Sequence, residues 1–228
     1  MNKILLLLLI SLALSKDLII VGDERIKEIA YVLFEAEDSS YTVGMTDYDS
    51  PFTEGDNPAF YEDYNIRYIT AAEIEHLINN NEITSYLHYH LRNAKPGTNV
   101  LLNLGFDNPD LLDKIIIFYG KLADKYLKLN FYYVPIIGVD QSKSTLSNEK
   151  FKEFNKLLDI RITNLEFPNL KSKNILYEDD PTKVSINGEP VDIFKYSTDR
   201  IGFFRNGLTR IFNDMVEGLE FESEEPES

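Results

Sequence analysis

The chain has 228 residues, and its 38 Asp and Glu residues outnumber its 23 Lys and Arg residues, which gives a formal net charge of −15 at pH 7. This excess of negative charge repels phosphate groups, so the composition argues against nucleic-acid binding and against attachment to an anionic membrane surface. The sequence contains no cysteine, which excludes a disulfide framework, a thiol nucleophile and an acylated cysteine anchor.

Residues 1–15, MNKILLLLLISLALS, predict a secretory signal peptide that is cut after Ser15. Their apolar run of roughly 12 residues is shorter than the about 20 residues that span a membrane. We therefore expect a protein that is secreted or held in a secretory-pathway lumen, with no membrane span after the signal is removed. Residues 16–219 fit one α/β domain, and residues 220–228 form a short acidic tail.

The segment Asp17–Arg25 predicts a buried strand, a tight turn and the start of a helix. Leu18–Val21 is an unbroken apolar run that ends at Gly22, which is typical of a strand buried on both faces of a parallel sheet. Apolar residues at helical spacing follow. Because ligands of open α/β sheets bind beyond the carboxyl ends of the strands, Asp23 and Glu24 are expected at a functional site.

The long polar segment Glu35–Asp63 predicts a binding loop or a poorly ordered connection, because structureless loops of this length are uncommon in compact domains. Only Tyr41–Met45 has the pattern of a short strand. The aromatic residues of the long segment, and Tyr64 just after it, can either stack on a sugar or peptide ligand or fold back onto the domain. They include Phe52, Phe60 and Tyr61.

The rest of the chain alternates strands with helices. The further strands are predicted at Asn65–Ile69, Thr98–Leu104, Leu129–Pro135 and Arg161–Phe167. The helices are predicted at Ala71–Asn79, Glu82–Asn93, Pro109–Tyr126, Asn148–Leu158 and from Ser197 or Thr198 to Leu219, and a small hairpin is predicted at Val184–Val191 around Asn187 and Gly188. This order predicts a single doubly wound, flavodoxin-like, five-stranded parallel sheet with helices on both faces.

Four segments, taken in order, resemble the motifs of SGNH/GDSL hydrolases. Residues 22–25, GDER, resemble the Gly-Asp-Ser block, and residues 99–108, NVLLNLGFDN, resemble a strand ending in Gly-X-Asn-Asp. The next helix and strand, through YYVPI, keep the order and spacing of that family. Residues 191–196, VDIFKY, resemble the Asp-X-X-His block before the last helix. The resemblance implies an SGNH-hydrolase-like fold over most of Asp17–Leu219.

The resemblance also implies where the catalytic groups would be, and two of them are replaced. The position of the serine nucleophile holds Glu24, and that of the histidine base holds Lys195, whereas Asp192 is retained. Loss of a nucleophile or its base costs a serine hydrolase about a millionfold in rate, or roughly 8 kcal/mol. We expect Glu24 and Lys195 to form an ion pair that can include Asp192. The alternative is that both side chains are solvated at the mouth of a wide cleft.

The oxyanion hole implied by the resemblance is also altered. The asparagine position holds Asp107, with Asn108 after it, and the glycine block falls on Thr70, Ala71 and Ala72, with no glycine. An aspartate would repel the negative charge that develops in ester hydrolysis, which an asparagine amide would stabilise.

Together these replacements predict a catalytically inactive binding or structural protein, whose ligand can be a carbohydrate or a small acyl or peptide group. The alternative is an active ester or carbohydrate-ester hydrolase with an unrecognised nucleophile, for which Ser39, Ser40 and Thr70 are the candidates. A serine-directed fluorophosphonate distinguishes the two predictions.

Other signals for chemistry are weaker. His88 and His90 are two residues apart on a predicted surface helix, so they point to different faces and cannot easily share a metal ion. Glu24 with Asp192 or Asp107 could in principle be a glycosidase pair, but 38 acidic residues make chance pairs common. We expect neither a metal nor a cofactor.

Overall fold

The computed structural model describes residues 16–22, 59–61, 64–70, 85–106, 109–139, 141, 145–173, 182–186, 189–192, 211–212 and 215–221. Four predicted elements lie outside these residues: the signal peptide of residues 1–15, the first helix, the short strand Tyr41–Met45 and the helix Ala71–Asn79. Among the described residues, no helix has the length and apolar character needed to cross a membrane.

The fold is organised around a six-stranded sheet with the order β2-β3-β1-β4-β5-β6. Its strands are β1 (Lys16–Gly22), β2 (Ala59–Tyr61), β3 (Tyr64–Thr70), β4 (Asn99–Asn103), β5 (Asn130–Tyr133) and β6 (Leu170–Ser172). Strands β3, β1, β4, β5 and β6 are parallel, and β2 pairs antiparallel with β3 at one edge. The chain passes from β1 to β3 on one side and then to β4 on the other, which confirms the doubly wound α/β class.

The apolar run of β1 is buried on both faces of the sheet, as its composition predicts. Side chains alternate along a strand, and Ile19 and Val21 belong to one hydrophobic core. Leu18 and Ile20 point to the opposite face and are equally buried. Both faces of the central strand are therefore covered, as in other parallel sheets.

Within the described ranges, three helices cover the first face: α1 (Ser85–Asn93), α2 (Leu112–Lys125) and α3 (Asn148–Thr163). A 3-10 turn at Pro109–Leu111 leads into α2. The chain moves across the sheet in one direction from β3 to β6, so right-handed crossovers place all three helices on the same side. Their contribution to the shared core includes Leu87, Leu91, Ile115, Tyr119, Leu122, Phe151, Phe154 and Leu158.

The predicted last helix is described at four positions, which are all helical and buried: Ile211, Phe212, Met215 and Val216. These side chains are not part of the core formed with α1, α2 and α3. The chain just after them reaches the start of β4, where the amide of Asn99 donates to the carbonyl of Glu220 at 2.8 Å. The described residues thus agree with helices on both faces of the sheet.

The predicted strand at Arg161–Phe167 is wrong. Helix α3 continues to Thr163, and the fifth parallel strand is β6, which starts at Leu170. Its buried positions Phe151, Phe154, Asn155, Leu158 and Ile162 recur at helical spacing, so one face packs on the sheet through the whole stretch. Of the apolar residues in the predicted strand, Ile162 lies on the buried face of α3, whereas Leu165 and Phe167 follow the end of the helix.

Two further features refine the prediction. Strand β2 was not predicted, whereas the predicted hairpin is confirmed as β7 (Lys183–Ile186) paired antiparallel with β8 (Glu189–Asp192). Strand β5 ends at Tyr133, and the buried residues Val134–Val139 continue without regular structure.

Candidate functional site

The candidate site lies at the carboxyl edge of β1, β3 and β4. Gly22, the last residue of β1, pairs with Thr70 at the end of β3 and with Asn103 at the end of β4. Strand β1 is also the switch point, because its two neighbours are reached by connections that run in opposite directions. Doubly wound sheets bind their ligands in the crevice at such a point. Asp23 and Ala71 follow Gly22 and Thr70 directly in the chain.

The chain leaving β4 at this edge is held by buried polar contacts. The side-chain amide of Asn103 donates to the carbonyls of Val134 and Pro135, at 2.9 and 3.1 Å. The next amide, that of Leu104, donates to the Tyr119 hydroxyl at 3.0 Å. A buried backbone donor needs a partner to avoid a desolvation cost, so these contacts restrict the path of the chain as it leaves the sheet.

Two aromatic rings of α3 hold the next part of this segment. Gly105 has a φ of 116°, and a Cβ atom there would lie 2.5 Å from the Phe154 ring and 3.2 Å from Ile136. The Phe106 ring stacks on Phe151 with centroids 5.4 Å apart. Glycine is therefore required at position 105 both for its backbone conformation and for the close approach of the ring.

Residues Val134–Val139 form a buried wall next to this segment. Two asparagines of α3 hold the wall as a neighbouring strand would, because each side-chain amide pairs with the N–H and the carbonyl of one residue. Asn155 accepts from Ile136 at 2.7 Å and donates to it at 3.0 Å. Asn148 does the same to Val139, at 2.8 and 2.7 Å. The wall is fixed to α3 at two points.

The predicted site residues are only partly placed. Thr70 ends β3 beside Gly22, and Asp192 ends β8. Phe60 and Tyr61 lie in β2, where they pair with Asn65 and Tyr64, so their assignment to a loop was wrong. Outside the described residues lie Asp23, Glu24, Phe52, Ala71, Asp107, Asn108 and Lys195.

Comparison with known proteins gives no match to a family model and none to a curated protein. Solved structures do match, and they are SGNH/GDSL-type hydrolases. One is a proposed platelet activating factor from Streptococcus pneumoniae, with a TM-score of 0.56 and 14% identity over 96% of this chain and 100% of that chain. This chain has an SGNH-hydrolase-like fold. The fold that the four motifs imply is thereby confirmed.

Two further solved structures match this chain with TM-scores below 0.5. The C-terminal catalytic domain of a peptidoglycan O-acetyltransferase from Streptococcus pneumoniae has a TM-score of 0.47 and 11% identity, over 90% of this chain and 93% of that chain. An acetyl-xylooligosaccharide esterase from Geobacillus has a TM-score of 0.49 and 8% identity, over 91% and 95%. The SGNH-like fold therefore rests on the first match and on the strand order.

The histidines of α1 differ from the surface positions predicted for them. They occupy different faces, as expected, but His90 is buried with 6% exposure. Burial, and then the charge of Arg67, lowers the pKa of His90 from 6.5 to about 4. Nδ1 of His88 shares a hydrogen bond of 2.6 Å with the Tyr126 hydroxyl, whose pKa burial raises to about 12. Within the described part of the chain, no group of three or more His, Asp or Glu residues could hold a metal ion.

Sequence reasoning missed the residues that hold the edge of this SGNH-like sheet, namely Asn103, Tyr119 and Asn155. Each carries a polar atom at a buried position of its element. Asn155 lies on the buried face of α3 between Phe154 and Leu158. Because buried amides are almost always hydrogen-bonded, an asparagine at such a position was a signal for a contact with backbone.

Proposed function

We propose that this protein is a catalytically inactive member of the SGNH-like group, secreted or held in a secretory-pathway lumen, that binds a ligand at the carboxyl edge of β1, β3 and β4. The observation that carries the proposal is the position of Glu24. It follows Gly22 by two residues in the chain, and Gly22 ends the central strand at the switch point. That is the position at which the GDSL motif provides its serine.

Glu24 and Lys195 together cannot carry out ester hydrolysis in place of a serine and a histidine. Ester hydrolysis of this kind needs a hydroxyl nucleophile and a neutral base to take its proton. A glutamate carboxylate has no such proton, and a lysine with an ordinary pKa near ~10.4 is already protonated at neutral pH. Lys195 follows Asp192 by three residues, and Asp192 is the end of β8. The spacing of the Asp-X-X-His block is thus kept while its base is lost.

The edge itself keeps features that suit binding. The segment from Asn103 to Phe106 is held by a pair of carbonyls, a tyrosine hydroxyl and two aromatic rings. Rigid support of this kind positions a ligand site as well as a catalytic one. The next residue in the chain is Asp107, whose negative charge opposes an oxyanion. We infer a ligand that is a carbohydrate or a small acyl or peptide group.

The decisive experiment measures hydrolysis of short-chain aryl esters and labelling by a fluorophosphonate. We expect the purified protein to show neither above a blank. An active esterase remains the second candidate because Thr70 ends β3 in register with Gly22. Turnover that persists in Glu24→Ala and disappears in Thr70→Val, Ser39→Ala or Ser40→Ala would establish that alternative and overturn the proposal. Unfolding curves of each variant exclude loss of the fold as the cause.

Ligand binding is tested separately on a glycan array, with isothermal titration for any glycan that binds. The proposal expects Asp23→Ala and Phe52→Ala to weaken binding at the carboxyl edge. Lys156→Ala, on the exposed surface of α3, is the matched control and should bind as the unmodified protein does. Binding that changes equally in all three variants would contradict the location of the site.

A further inference from the structure

The opposite, amino edge of the sheet carries a group of exposed cations in an otherwise acidic protein. Arg92 lies near the end of α1, Lys125 ends α2, and Lys128 follows in the turn before β5; all three are exposed. Among the described residues, none of the three has a carboxylate within 4.0 Å. We call these three residues the basic edge. Asp124 is the acidic neighbour on α2, so the edge keeps a net positive charge.

Hydrogen bonds and a cation–π contact join the three cations into one surface. Nζ of Lys128 donates to the carbonyl of Arg92 at 3.4 Å, at the end of α1. Nζ of Lys125 lies 5.8 Å from the centre of the Tyr126 ring. The hydroxyl of that tyrosine bonds His88, which is one helical turn before Arg92 on the same face of α1. The cations of α1, α2 and the following turn therefore face one region of solvent.

The acidic tail of the chain starts at this same edge. The carbonyl of Glu220 accepts from the side chain of Asn99, the first residue of β4, at 2.8 Å. Nζ of Lys16, the first residue of β1, lies 5.5 Å from the centre of the Phe221 ring. The carboxylate of Glu220 also raises the pKa of Tyr132 in β5, after the effect of burial. Residues 220 and 221 are thus held across the starts of β1, β4 and β5.

The distance from residues 220 and 221 to the basic edge is short compared with the length of the tail. The carbonyl of Lys128 accepts from the amide of Gly97 at 2.8 Å, and Gly97 is only two residues before Asn99. Two steps along the chain cover at most ~8 Å, whereas seven extended residues can cover about 23 Å. The residues after Phe221 are ESEEPES, which contain four glutamates and no basic residue. Their charge is opposite to that of the basic edge.

We infer that the acidic tail, Glu222–Ser228, docks on the basic edge formed by Arg92, Lys125 and Lys128 of its own chain. The interaction neutralises the basic edge and ties the end of the chain to α1 and α2. It occurs on the side of the sheet opposite to the candidate ligand site, so it does not depend on the proposed function. Attraction between exposed charges is screened by salt, and the docking is therefore sensitive to ionic strength.

A zero-length carbodiimide crosslink on the full chain tests this inference. The reagent joins a carboxylate to a lysine amine in contact with it, with loss of water. We expect tail glutamates to be joined to Lys125 and Lys128, and the yield to fall in high salt. Lys156 is also exposed but lies on the outer surface of α3, and it serves as the internal control. Equal yields at Lys156 and at the basic edge would overturn the inference.

A second measurement follows lysine acetylation rates in a variant with Gln at positions 222, 224, 225 and 227. Loss of the tail charge should raise the rates at Lys125 and Lys128 several-fold and leave Lys156 unchanged. Unchanged rates at all three lysines would contradict docking. A mixture of isotopically heavy and light protein separates contact within one chain from contact with a second copy, and only mixed crosslinks would reassign the tail to a neighbouring molecule.

Discussion

At the scale of single residues, Gly105 shows how backbone conformation and packing together require one amino acid. Its φ of 116° lies outside the range that side-chain-bearing residues adopt easily, and the Phe154 ring fills the space that a Cβ atom would need. The ring belongs to α3, whereas the glycine follows β4. The segment that leads from β4 toward the candidate ligand site is therefore closely packed against a helix.

We predict that Gly105→Ala lowers the free energy of unfolding by about 2–4 kcal/mol, through backbone strain and overpacking. Gly218→Ala is the matched control, because Gly218 also has a positive φ, of 71°, but a Cβ there meets nothing within 4 Å. That variant should cost only about 1 kcal/mol. Denaturant unfolding of both variants measures the difference, and equal losses would show that the Phe154 ring moves aside without cost.

His90 gives the protein a dependence on pH that an exposed histidine would not. Its pKa is about 4 in the folded protein and near 6.5, the ordinary pKa of histidine, in the unfolded chain. Between these values the unfolded chain binds a proton that the folded chain does not, so stability increases with pH. The contribution is complete above pH 6.5 and is lost as the pH falls toward 4. It amounts to at most ~3 kcal/mol.

We predict that His90→Leu reduces the loss of stability between pH 7 and pH 4, measured by denaturant unfolding at each pH. Carboxylates also titrate in this range, so the comparison is between variant and unmodified protein. His88→Gln retains His90 and is the control for replacing a histidine on the same helix. An unchanged slope in His90→Leu would mean that the side chain is protonated without cost in the folded state.

At the scale of elements, α3 shows how one helix supports an adjacent irregular segment. Its apolar face packs in the core, and Asn155 and Asn148 on the same helix pair with the backbone of Ile136 and Val139. The wall Val134–Val139 follows the end of β5 at Tyr133 and is not part of a strand. Its backbone groups are buried and still need partners, and the two asparagines supply them for Ile136 and Val139.

We predict that Asn155→Leu lowers the free energy of unfolding by about 2–5 kcal/mol, because it leaves a buried N–H and a buried carbonyl without a partner. Asn148→Leu removes the same two contacts at a half-buried position. Water can replace them there, so the loss should be about 1–2 kcal/mol. Equal, small losses in both variants, seen by denaturant unfolding, would contradict the support that we assign to Asn155.

At the scale of the whole molecule, the charge is unevenly distributed. Residues 35–63 contain nine acidic residues and no basic ones, and residues 109–173 contain 8 acidic and 11 basic residues. The net charge of −15 therefore belongs to particular segments, among them the tail. This distribution explains how a basic edge can exist on an acidic protein. Short-range attraction there is compatible with repulsion elsewhere, because solvent ions screen charges beyond about 8 Å.

The proposed ion pair between Glu24 and Lys195 is also a property of the whole chain, since these residues follow the first strand and the final hairpin. A double-mutant cycle with Glu24→Ala and Lys195→Ala tests it. We predict a coupling of about 1–3 kcal/mol in the free energy of unfolding if the pair is partly buried. Lys156→Ala should change stability by less than about 0.5 kcal/mol. Strictly additive effects of the two substitutions would show that the side chains do not touch.

Much of the fold could be predicted from local sequence patterns. The apolar run of β1, the helical spacing of α2 and the turn between β7 and β8 each depend on residues that are close in the chain. Such patterns identify an element and its buried face without reference to its neighbours. The alternation of strands and helices was therefore predictable, whereas the SGNH-like fold was implied by the four motifs. The candidate site beyond Gly22 stays a prediction.

Contacts between distant parts of the chain decided the remaining features. The end of α3, the position of β6 and the burial of His90 depend on what packs against each segment, and periodicity near Arg161 fits either a helix or a strand. The register of strand pairing aligns Gly22, Thr70 and Asn103 at one edge of the sheet. Pairing register depends on hydrogen bonds and side chains from several strands at once, so only the assembled sheet could define this edge.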